Sequence, residues 1–272
     1  MPYFTTKDGC KIFYRTHCVD VSRPVVIFLN GATQTTLYWG AHVPAFSKRF
    51  GLLFYDARAQ GQSDLGDKPI TLKLHVADLK VLIAHLGIDK AHLVGISHGA
   101  RLALALAMEC SELVDRMVLC SLGAKTNYRS KVTVQSWLQL LRLSGLEAMA
   151  WAALPAVFGE EFLMQHQRSM NMIVKAVAKR NNRKALIAQL DAILQYPPAD
   201  NVPQDFNRLT LIITGSQDPL VSSEDVGRLA DLCKAQHQEL SGISHSIPAE
   251  APRVFDKLVL DFLTLSRTMP ET

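Results

Sequence analysis

Short apolar runs alternate along this chain with amphipathic stretches, and that alternation restricts the fold more than any other feature. Val25–Leu29 and Gly51–Tyr55 are β-rich with apolar residues on both faces, as strands in the middle of a covered sheet require. Ala91–Ile96 and residues 114–122 have the same character, and Lys11–His17 reads as an earlier strand behind an Asp8-Gly9 turn. Residues 72–86 repeat apolar side chains at helical spacing, with Gly87 just past the end as a C-cap. Residues 100–108 are nearly all small or apolar, the composition of a buried helix. The pattern predicts an α/β fold: a mostly parallel sheet with helices on both faces.

The alternation stops once. From 125 to 200 there are only helical signals, around 137–146, 163–177 and Arg183–Leu194, closed by Tyr196-Pro197-Pro198. The sheet then resumes at 209–214, with a helix near 226–233, a strand near 238–241 and a final helix over 253–265. This predicts a core built from residues 1–124 and 201–272, with an inserted helical cap at 125–200. Ten Lys and Arg against five Asp and Glu give the cap +5, and Lys175, Lys179, Arg180, Arg183 and Lys184 supply half of its basic residues. Such a run reads first as a solvated helix face. Docking of an anionic acyl carrier or substrate is the sharper alternative.

Composition narrows the function classes. With 48% hydrophobic and 20% charged residues, the 272-residue chain is not intrinsically disordered. A net charge of +4 is too small to argue for nucleic acid, which calls for a concentrated basic face. The most apolar run, 148–158, is too short to span a bilayer and contains Pro155. Met1 leads into the polar Thr5-Thr6-Lys7-Asp8, without the apolar core of a signal peptide. Cys10, Cys18, Cys110, Cys120 and Cys233 form no CxxC pair and read as reduced, mostly buried thiols of a cytoplasmic protein. There is no HExxH, no Cys/His cluster with metal-ligand spacing and no GxGxxG. In Gly123-Ala124-Lys125-Thr126 the lysine does not directly follow the glycine, and Val118 stands where a phosphate loop has its first glycine. Neither a metal nor an organic cofactor is implied.

The strongest chemical signal is Gly95-Ile96-Ser97-His98-Gly99. A serine at a sharp strand-to-helix turn exposes its hydroxyl above the sheet edge, and the flanking glycines let strand and helix approach. A serine hydroxyl needs a base, and the base needs a buried acid to hold its tautomer. Of nine histidines, His245 is best placed, after a late strand and before Ile247-Pro248 and the last helix. His17, His42, His75, His85, His92, His166 and His237 read as ordinary surface or core residues. Asp218 follows the 209–214 strand; Glu224 and Asp225 are its rivals, though both look like first-turn helix residues favoured by the macrodipole.

The order Ser97, Asp218, His245 resembles the nucleophile–acid–base order of the α/β-hydrolase superfamily, and the resemblance covers nearly the whole chain. Residues 56–63, Asp-Ala-Arg-Ala-Gln-Gly-Gln-Ser, are similar to that superfamily's Asp-x-Arg-Gly-x-Gly-x-Ser loop, with Ala59 for the usual first glycine. The chain looks most like small capped serine hydrolases such as enol-lactonases and carboxylesterases. Residues 25–39, with Asn30-Gly31-Ala32 where most relatives have His-Gly, also resemble acyl-group-handling relatives, including hydroxyacyl-acid synthases and transacylases.

The resemblance implies catalysis by Ser97, His245 and Asp218, with the backbone amides of Ala32 and His98 as oxyanion donors. Asn30 is then a loop brace. Arg101, one turn into the nucleophile helix, is read as an ion pair to a core carboxylate, or alternatively as a clamp on a substrate carboxylate. The implied partner is a small-molecule acyl substrate: a small or medium-size ester, lactone or thioester. Two other readings are an acyltransferase on the same machinery and a ligand sensor with little turnover. A serine nucleophile argues against haloalkane dehalogenase and epoxide hydrolase chemistry.

Overall fold

The computed structural model describes residues 2–20 and 23–265. Eight strands, β1 (Tyr3–Thr5), β2 (Lys11–His17), β3 (Val25–Leu29), β4 (Gly51–Tyr55), β5 (Ala91–Ile96), β6 (Val114–Cys120), β7 (Leu209–Gly215) and β8 (Gln236–Leu240), form one sheet. Their order is β1-β2-β4-β3-β5-β6-β7-β8. The two pairings at the β1 edge are antiparallel. All pairings from β4 to β8 are parallel. Leu29 sits opposite both Tyr55 and Gly95, so the parallel strands end at a common edge. The strand order reverses around β3, and ligands of open α/β sheets bind beside the carboxyl ends of strands at such a switch point.

The helices are α1 (Val43–Phe46), α2 (Leu72–His85), α3 (His98–Glu109), α4 (Tyr128–Ser144), α5 (Leu146–Val157), α6 (Glu160–His166), α7 (Met170–Arg180), α8 (Arg183–Leu194), α9 (Ser223–Cys233), α10 (Ile247–Glu250) and α11 (Pro252–Thr264). Alternation along β3 sorts them onto two faces. Ile27 and Leu29 pack with Leu79 and Leu82 of α2, Leu102 and Leu106 of α3 and Leu229 of α9. Val26 and Phe28 pack with Phe46 of α1 and Phe255, Val259 and Phe262 of α11. Burying each such side chain contributes about 1.5–3 kcal/mol.

Five helices, α4 to α8, stand between β6 and β7, where the sequence shows no strand. Trp137, Leu141, Met149, Leu186 and Leu190 form one apolar cluster there. Leu154, Met170 and Val174 centre a second.

Four expectations are corrected. α4 begins at Tyr128, well before 137, because the Asn127 side chain accepts from the Ser130 amide and caps the helix there. The 148–158 run is largely the separate helix α5, which passes through Pro155 in its last turn. The expected 163–177 helix is two helices, broken by a 3-10 turn at Gln167–Ser169. The late strand is Gln236–Leu240, and its polar, exposed character follows from its place at the sheet edge. Among the described residues no helix is long and apolar enough to cross a membrane. All five cysteines are free thiols, and only Cys18 among them is exposed.

Candidate active site

Ser97 sits between β5 and α3 with φ of 53° and ψ of −114°, a left-handed conformation that costs a non-glycine residue about 1–3 kcal/mol. The turn is held on both sides: the Ser97 amide donates to Cys120 O at 2.9 Å, and its carbonyl accepts from the Arg101 amide at 2.9 Å. A Cβ on Gly99 would collide with the Leu29 carbonyl, and one on Gly95 with the Gly99 backbone, so helix and strand meet this closely only with glycine at both positions. Ser97 Oγ makes no hydrogen bond to the described residues.

His245 lies between β8 and α10. Its Nδ1 is 2.8 Å from Asp218 Oδ2, and the Asp218 side chain is 1% exposed. The other Asp218 oxygen accepts from the Leu220 amide at 2.8 Å, so the carboxylate is fixed from both ends. Glu224 and Asp225 are in the first turn of α9, where Asp225 bonds the capping Ser222 hydroxyl. A second His–Asp pair, His42 with Asp256 at 2.6 Å, stands outside the cavity lined by Ser97 and His245, so such a pair does not by itself mark the site.

Ser97, His245, Ala32 and His98 all line one cavity of about 550 Å³ under the inserted helices. The Ala32 and His98 amides donate to no described residue. The Ala32 loop is braced by buried side chains. Asn30 Nδ2 donates to Tyr55 O at 2.9 Å and Asn30 Oδ1 accepts from Trp39 Nε1 at 2.9 Å, while Gln60 Nε2 donates to Gly31 O at 2.9 Å. Asp56 accepts from the Thr36 and Gln62 amides, so the 56–63 segment forms the underside of this loop. Ala59 there has φ of 67°, a conformation that glycine adopts without steric cost.

The expected ion pair of Arg101 with a core carboxylate is not formed. Among the described residues its guanidinium donates to the Pro197 carbonyl and makes no ion pair. Asp200, whose charge reaches Arg101, is instead engaged by Arg228 at 3.1 Å and Lys125 at 3.6 Å.

Sequence reasoning missed Glu250 and Ser121. Glu250, in α10, accepts from the Ser244 and Ser246 amides that flank His245 and from the Gly159 amide of the helical insertion. Burial raises its carboxyl above the ordinary range, and those three amides oppose the rise. Ser121 donates to the His245 carbonyl at 2.8 Å. An acid three residues into a short helix carries no motif, so only the fold could reveal it. Glu250→Ala frees three amides and loosens the loop that carries His245. It is expected to lower kcat by about ten- to a hundredfold with little change in KM, as misplacing a reacting group does. A wild-type kcat for this variant would mean that the loop holds itself.

His98 is buried, burial pushes its imidazole down to about 4, and it packs edge-on at 5.1 Å against His75, which burial also lowers. Both rings are therefore neutral at pH 7. Below about 6.5 the unfolded chain takes up protons that the folded chain refuses, so stability falls as pH drops toward 4. For His98 the loss approaches about 1.4 kcal/mol per pH unit well below 6.5 and is smaller between pH 7 and 6, and His75 adds to it in the same direction. Urea melts at pH 7, 6 and 5 check this; His75→Phe should flatten the slope, and an unchanged slope would contradict it.

The model for the α/β hydrolase fold matches residues 24–252. A protein named "Putative carbamate hydrolase RutD" from Caulobacter vibrioides is 27% identical over 263 residues, 95% of this chain and 96% of that one. An α/β hydrolase enzyme, MGS-M2, from a Medee basin deep-sea metagenome library superposes with a TM-score of 0.91 at 28% identity, covering 98% of both chains. The enol-lactonase from Burkholderia xenovorans LB400 superposes at 0.87 with 25% identity, covering 97% of this chain and all of that one. With a matching family model over most of its length and this sheet order, the chain belongs to the α/β hydrolase fold family.

Proposed function

We propose that the protein is a serine hydrolase of small or medium-size carboxylic esters, lactones or thioesters. One observation carries the reading: Ser97 in its strained turn, His245 backed by Asp218 at 2.8 Å, and two unengaged amides all meet at one cavity. Ser97 Oγ attacks the carbonyl carbon as His245 Nε2 takes its proton; Asp218 on Nδ1 fixes the tautomer and stabilises the imidazolium. The Ala32 and His98 amides receive the oxyanion. The intermediate collapses as His245 returns the proton to the leaving oxygen or sulfur. Water, deprotonated by His245, then attacks the acyl-enzyme and regenerates Ser97.

Apolar side chains such as Trp137, Leu154, Phe158 and Val177 wall the cavity, which suits a carbon chain of modest length. Relatives named as an enol-lactonase and as a carbamate hydrolase support the hydrolase reading, and the enol-lactonase name supports the lactone among its substrates. Free thiols suit a reducing, cytoplasmic setting. The test is turnover of a panel of aryl esters, lactones, thioesters and carbamates in ¹⁸O-water. One ¹⁸O in each released acid is expected. Acyl transfer to an added alcohol without label would favour an acyltransferase, and binding without turnover a sensor.

A further inference from the structure

We infer that the cavity holds a carboxylate-binding subsite centred on Arg101, and that the substrate carries a free carboxylate besides its scissile carbonyl. The inference deepens the hydrolase reading by naming the substrate class.

The cavity lining is one-signed. Arg101, Lys125 and Arg180 contribute to it, and among the described residues no Asp or Glu does. Arg101 is the buried member, 9% exposed. A guanidinium has five N–H donors, and the Pro197 carbonyl engages only one of its nitrogens. The guanidinium makes no other hydrogen bond to the described residues, and Arg101 is part of the cavity lining. The Asp200 charge reaches this cation, but no carboxylate pairs with it directly, and burying a cation without a paired partner is costly. Tying a loop carbonyl to α3 needs one neutral donor, so a strut to Pro197 does not account for a full charge at this place.

A carboxylate offers the acceptors that Arg101 lacks. A guanidinium fork matches a carboxylate in two parallel bonds, whereas a neutral acyl tail would leave the cation unpaired. The Tyr196 hydroxyl does not share this role: it is sealed in protein without a hydrogen-bond partner, although its ring lines the same cavity wall 5.8 Å from that of His98.

The placement also fits. The Arg101 amide bonds the Ser97 carbonyl, so the arginine rises from the first turn after the serine, and both residues line the cavity. A half-ester of a short diacid, or a short ester with a carboxylated alcohol, carries its two groups at such neighbouring positions. Asp200 does not fill the role, because Arg228 and Lys125 already bind it.

The experiment compares kcat/KM for 4-nitrophenyl half-esters of succinate, glutarate and adipate with uncharged 4-nitrophenyl esters of equal length. Butyrate esters of carboxylated and plain nitrophenols form a second pair. At least one charged series is expected to exceed its neutral partner, and the ratio to fall tenfold or more in Arg101→Met and less in Arg101→Lys. A second readout needs no catalysis: adipate, but not adipamide, should raise the Tm of the whole protein, and Arg101→Met should abolish the rise. Hydrolysis of neutral esters with no charged preference and no adipate effect would overturn the subsite while leaving the hydrolase reading intact. An adipate effect without ester turnover would sustain the subsite and overturn the hydrolase reading.

Discussion

Replacing Ser97 with alanine is expected to lower kcat/KM on any ester the protein turns over by about a thousandfold or more, the usual cost of removing a nucleophile. The turn itself should survive. Its φ of 53° is imposed by the Cys120 and Arg101 backbone bonds and by the close approach at Gly99, none of which uses the serine hydroxyl. Melting of the variant should match the wild type within about 0.5 kcal/mol, as for substitutions that create neither cavity nor buried charge. Turnover within tenfold of wild type would remove Ser97 from the chemistry.

The second large effect is on stability. The Arg58 side chain is wholly buried and binds two carboxylates, Asp78 at 2.8 and 3.0 Å and Asp8 at 3.0 and 3.0 Å. Arg58 holds the Asp8 carboxyl well below the usual carboxylate range. Arg58→Met strands the Asp78 carboxylate, 7% exposed, without its partner, and should cost about 3–5 kcal/mol in urea unfolding. Adding Asp78→Asn should restore part of that loss, because the stranded charge is then gone. A loss below 1 kcal/mol for the single variant would show that the pair is solvated in the folded protein. The same arginine explains the 56–63 segment: it anchors the loop whose Gln60 and Asp56 brace the backbone at Gly31 and Thr36.

Strands β3 to β6 and the serine turn were legible because a buried strand leaves a dense apolar run and a tight turn demands glycine at fixed offsets. Asp218 and His245 were legible by their places after late strands, and they lie 2.8 Å apart. The helical insertion was legible as a whole but not in its joints. Helix α5 runs through Pro155, whose missing N–H lies near the helix end, where tertiary packing overrides a local breaker. The 3-10 turn after α6 has no Gly or Pro to announce it. Charged partners were the least legible feature. Arg101 lacks its expected carboxylate, and Asp200, whose charge reaches it, is paired with Arg228 and Lys125 instead. Glu250 has the opposite fate, gathering three amides from two loops that meet only in the folded chain.

The central claim is that Ser97 is a nucleophile activated by His245. Incubation with a fluorophosphonate, followed by intact-mass measurement and peptide mapping, tests it most directly. The account predicts one adduct per chain on the peptide containing Ser97, abolished by Ser97→Ala and slowed at least a hundredfold by His245→Ala. An adduct elsewhere, or an unmodified chain under conditions that label a known serine hydrolase to completion, would contradict it.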